Sequence, residues 1–115
     1  MKLTKASSET VKRLFPAFKT ISEAEQYIND LFADNKDFIL TPETENATEF
    51  QAIVALVGCL PDLPRQNSFG DELVQVYPVW RQRQREWMLI VETESAGFAV
   101  DWKLATKKLI EKVNE

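Results

Sequence analysis

Apolar positions in the first sixty residues recur at helical spacing. Val11, Leu14, Phe15 and Phe18 stand at i, i+3, i+4 and i+7. Pro16 interrupts that run, which predicts a short helix ending near Phe15. Residues 22–25 read SEAE, a capping box with Ser22 as N-cap and Glu25 reaching back. Behind it Ala24, Tyr27, Ile28, Leu31 and Phe32 make one apolar stripe, which predicts a second helix over 23–33. The pattern then breaks. Phe38, Ile39 and Leu40 have the composition of a short strand, and Pro42 argues against helix just before it. Asn46 followed by Glu49 resembles another cap, leading into Phe50, Ile53, Val54, Val57 and Leu60. Ala52, Ala55 and Leu56 fill much of the other side, so this helix is expected to be buried. Gly58 and Pro61 end it, and residues 61–71 read as the main loop.

The second half changes period. Residues 72–77 are rich in β-branched and aromatic side chains, and 87–93 form a short apolar run bounded by charge, as in a central strand. Residues 94–97 offer a turn, after which Phe98, Val100 and Trp102 alternate onto one face. A closing helix from Asp101 carries its stripe on Trp102, Ala105, Leu109, Ile110 and Val113, with lysines near its end. The expected fold is α+β: N-terminal helices packed on a small antiparallel meander and closed by a C-terminal helix. An all-α alternative stays open. Leu73, Val76, Tyr77, Trp80, Gln84, Trp87, Met88 and Val91 also fit a helix, and one beginning at Pro78 avoids the cost of an internal proline. Against a hairpin, the connecting RQRQR has no Gly, Asn, Asp or Pro for a tight turn.

With 115 residues the chain is expected to form one globular domain. Its 44% hydrophobic and 28% charged residues exclude the disordered class. The net charge of −4 argues against general nucleic-acid binding. The charge is also uneven. Residues 1–19 carry five basic groups against Glu9, and residues 22–49 carry eight acids against Lys36. Such polarity suits self-association or a basic partner, though solvated faces give the same pattern. One cysteine allows no internal disulfide, no signal peptide is visible, and the longest apolar stretch is too short for a bilayer. These features point to a cytoplasmic protein without a membrane segment.

The chemistry is sparse. With no histidine, the chain lacks histidine-based nucleophile systems and the commonest metal ligand. Three glycines cannot build a phosphate loop. Cys59 lies in an apolar segment and is expected to be an inert buried thiol. Glu43, Glu45 and Glu49 lack the spacing of a calcium loop. Glu92 and Glu94 are strand neighbours that read as solvent-facing charges. No catalytic residue, metal ligand or cofactor site is assigned.

What remains is the segment WRQRQREW. On a strand, Arg81, Arg83 and Arg85 share one face, and on a helix Arg83 points elsewhere. Trp80, Arg81, Arg83, Arg85 and Trp87 are therefore the candidate partner-binding residues. Arginines that keep a strand end soluble, or that pair with the acidic 22–49 segment within or between chains, explain the same segment. The function expected is a small non-enzymatic interaction or regulatory domain, self-associating as a homodimer, with a protein partner as a further option. An alternative is a small-molecule pocket lined by Tyr77, Trp80, Trp87, Glu92, Phe98 and Trp102. A second alternative is an accessory protein that follows single-stranded nucleic acid with the three arginines and stacks bases on tryptophan.

Overall fold

The computed structural model describes residues 1–36, 41–65 and 68–115. Along the chain run α1 (Ser8–Leu14), α2 (Ile21–Asp34), α3 (Pro42–Glu45), α4 (Thr48–Val57), β1 (Leu73–Arg81), β2 (Glu86–Thr93), β3 (Gly97–Val100) and α5 (Trp102–Val113). The expected strand at Phe38, Ile39 and Leu40 lies outside the described residues.

Capping side chains set most helix starts. Ser7 accepts from the Thr10 N–H at the head of α1, and the helix stops at Phe15, just ahead of Pro16. The expected cap of α2 was Ser22, and the structure corrects it to Thr20, whose hydroxyl accepts from Glu23 N at 3.1 Å. Residues 20–23 read TISE, the same spacing as SEAE two residues on. Starting earlier adds helical hydrogen bonds, and Glu23 reaches back to Lys19 N at 3.4 Å. The Asn46 cap is corrected as well. Residues 41–44 close their own capping box between Thr41 and Thr44, so Asn46 ends α3 and α4 begins from Ala47 without a side-chain cap. Asp101 caps α5 through Leu104 N at 3.1 Å.

The second half is the antiparallel meander β1-β2-β3, not the helical alternative. Pro78 sits within β1, opposite Leu89. It is tolerated because β1 is an edge strand, where a residue without an N–H can sit without breaking the ladder. The register shifts between Leu73 and Gln75. This irregularity lets both Leu73 and Val76 point inward while Val74 is 49% exposed. Thr93 closes the second turn, with its hydroxyl accepting from Ser95 N and Ala96 N, both at 3.3 Å.

The register divides the sheet into two faces. Val76, Pro78 and Trp80 stand opposite Val91, Leu89 and Trp87, with Phe98 and Val100 beyond them. The buried members of this face join Ile28, Phe32, Phe50, Ile53, Leu56, Trp102 and Leu109 in the core. The other face carries Gln75, Tyr77, Val79 and Arg81, then Glu86, Met88, Ile90 and Glu92, then Gly97 and Ala99. None of these ten residues is buried. The helices therefore cover one side of the sheet only.

The chain's first residues are woven into this layer. Leu3 N donates to Asp71 O at 2.9 Å, Leu73 N to Met1 O at 2.8 Å, and Ala6 N to Gly58 O at 2.9 Å. A β-carbon at Gly58 would meet Ala6 N and Thr4 O, both at 2.7 Å, so glycine is required by the close approach of two backbones. Gly58→Ala is expected to lower stability by ~1–3 kcal/mol. Urea titration of the two proteins checks this, and an unchanged midpoint would mean that the N-terminal segment is not held against α4.

Candidate functional site

The two tryptophans that bracket the arginine segment face each other across β1 and β2. Their rings meet edge to face, with centroids 5.2 Å apart. Trp87 also meets Phe32 of α2 at 6.1 Å, and Phe32 meets Trp102 of α5 at 5.3 Å. The row thus runs from the core to the rim. Trp102 is buried, Trp87 is half-buried, and Trp80 is 45% exposed.

Beyond Trp80 the hairpin turns. Arg81 is the last residue of β1, residues 82–85 form the turn, and β2 begins at Glu86. The three arginines therefore do not share a continuous strand face, which removes the regular ladder that the nucleic-acid alternative needs. Arg81 is held by Glu86 at 3.5 Å. Arg83 and Arg85 are exposed and form no ion pair among the described residues. Arg85 has φ of 53° and is the one described non-glycine residue with a positive φ. This position does the work of the missing Gly or Asn, at a cost of ~1 kcal/mol.

The residues expected to line a pocket are split by the sheet. Trp80, Trp87 and Phe98 lie on the helix-covered face, and Tyr77 and Glu92 on the open one. β3 stops at Val100, opposite Leu89, while β2 runs on to Glu86. Trp102 Nε1 donates to the Trp87 carbonyl in this overhanging stretch at 2.9 Å. A shallow depression of about 230 Å³ opens there, lined by Trp87, Trp102, Arg81, Glu86 and Lys103 among others. Trp87 and Trp102 are brought together, Trp80 leans on Trp87 from the rim, and Phe98 lies further along the sheet opposite Val91. On the open face Tyr77 donates its hydroxyl proton to Glu92 at 3.0 Å, and Gln75 Nε2 donates to the same carboxylate. The Glu92 bond, then burial, then the Glu92 charge raise the Tyr77 pKa.

Cys59 is 4% exposed, and its thiol donates to the Ala55 carbonyl. Burial pushes its pKa from 9.0 to about 11, against a smaller opposing pull from Lys112. An unfolded thiol ionises at lower pH than the folded one. This contribution to stability is full below about pH 9 and is lost as pH rises toward 11.

Sequence reasoning missed a groove of about 300 Å³ between the first residues, α1 and α4, lined by Lys5, Thr10, Arg13, Leu14, Gln51 and Val54 among others. Its one signal was the basic excess of residues 1–19. Among the described residues no three His, Cys, Asp or Glu side chains gather as a metal site. No helix among them is long and apolar enough to cross a membrane.

Comparison of the chain with family models, with curated proteins and with solved structures gives no match.

The turn geometry can be tested alone. Arg85→Gly should raise stability by up to ~1 kcal/mol, because glycine takes a positive φ without a steric penalty. Thermal unfolding of the variant checks this, and a clear loss of stability would mean that Arg85 makes a contact the turn depends on.

Proposed function

We propose that the chain is a small, non-enzymatic, cytoplasmic interaction domain that pairs with itself, and that the β1–β2 tip is its recognition element. One observation carries this reading. The tip presents Arg81, Arg83 and Arg85, all exposed, and Arg83 and Arg85 have no ion pair among the described residues. Arginine is among the residue types that most often dominate protein interfaces. Positive φ at Arg85 supports the same reading, because a strained arginine kept where glycine would suit the turn suggests a use for its charge. The polar spread of charge favours a second copy, since the chain's net charge of −4 leaves acidic surface to meet a basic tip.

Sedimentation equilibrium tests the reading. Wild type should show a reversible dimer, and Arg83→Ala should weaken it about tenfold, equivalent to ~1.4 kcal/mol. Circular dichroism and the urea midpoint should stay unchanged. A chain that remains monomeric up to millimolar concentration would contradict self-association.

A further inference from the structure

We infer that the second copy docks on the open face of the sheet, and that the two sheets stack with the arginine tip of each over the glutamate end of the other. This rests on the self-association reading and specifies its geometry. The open face has an apolar middle of Tyr77, Val79, Met88, Ile90 and Ala99, none of them buried. An antiparallel sheet facing water alternates apolar inward with polar outward. Here the outward positions of the central strand read Glu86, Met88, Ile90, Glu92, so charge is confined to the two ends.

The ends differ in sign. At the tip, Arg81, Arg83 and Arg85 stand with Glu86, which is already held by Arg81, while Asp101 and Lys103 at the same end offset each other in charge. At the other end stand Glu92 and, in the β2–β3 turn, Glu94. Among the described residues Glu92 accepts only from neutral donors, Tyr77 and Gln75, so its charge is uncompensated there. Neither Glu92 nor Glu94 has an ion pair among the described residues.

These ends select one two-fold arrangement. Stacked sheets in an aligned packing keep their strands within about 30° of each other. A two-fold axis along the strands would set arginine tip on arginine tip and glutamate end on glutamate end. An axis in the same plane but across the strands sets each tip over the opposite end of its partner. It also places Met88 and Ile90 of one copy over Ile90 and Met88 of the other. Only the second arrangement joins apolar contact to charge complementarity.

Area bounds the strength. With a rise of ~3.3 Å per residue and ~4.8 Å between strands, the face covers roughly 300–400 Å². A standard stable interface buries ~800 Å² on each partner. The apolar middle falls short alone, so the flanking charges must contribute, and the pair should be weak and salt-sensitive. Trp80 points to the other face of the sheet and takes no part in this contact.

Sedimentation equilibrium at low salt on wild type and three variants tests the arrangement, each variant first checked for native circular dichroism and urea midpoint. Ile90→Lys should weaken the dimer at least tenfold. Arg83→Glu with Arg85→Glu should do the same, because acid then faces acid. Adding Glu92→Arg and Glu94→Arg to that chain should restore the dimer, which a tip-on-tip arrangement would not do. A wild-type dimer that survives both Ile90→Lys and the arginine reversal would overturn the docking geometry while leaving self-association intact. Failure of the fourfold exchange to restore pairing would overturn the tip-over-end arrangement. A wild type that never dimerises would overturn both readings.

Discussion

The hydrogen bond from Trp102 Nε1 to the Trp87 carbonyl, 2.9 Å long, is the contact on which the arrangement of this molecule turns. β3 is too short to cover β2 along its whole length. Without another partner, a backbone carbonyl beside the core would stand unpaired, at a cost of ~1–3 kcal/mol. An indole N–H meets that need, and it does so from the first residue of α5. The same ring packs on Phe32, which packs in turn on Trp87. One side chain thus ends the sheet, fixes where the closing helix begins and ties α2 to both.

The consequence is a one-sided sheet. With α2 and α5 anchored to the same face through Phe32 and Trp102, the opposite face stays open. The hairpin runs past the core by its last residues, which leaves Trp80 at the rim and the arginines in the turn beyond it. Both features proposed to recognise a partner, the basic tip and the open face, are therefore results of how the core closes. They need no special chemistry, only the placement of polar and apolar residues on surfaces that the helices do not reach.

Much of this was legible in the residue pattern. Periodicity located α1, α2, α4 and α5, and β-branched content placed the three strands of the α+β fold within a few residues. The errors have particular causes. The start of α2 was misplaced because TISE and SEAE carry the same signal two residues apart. The hairpin turn was obscured because an arginine occupies the left-handed position. Of the residues read as one pocket, Tyr77 and Glu92 lie across the sheet from the tryptophans and Phe98. That split depends on which way β1 and β2 face, which the residue pattern alone does not fix.

The Trp102 indole N–H holds the sheet end and α5 together. Trp102→Phe keeps an aromatic ring on α5 and removes that donor. Urea unfolding of the variant should show a loss of ~1–3 kcal/mol relative to wild type. Faster amide exchange should accompany it at the start of β2 and in the first turn of α5. An unchanged urea midpoint and unchanged exchange at these positions would contradict the account.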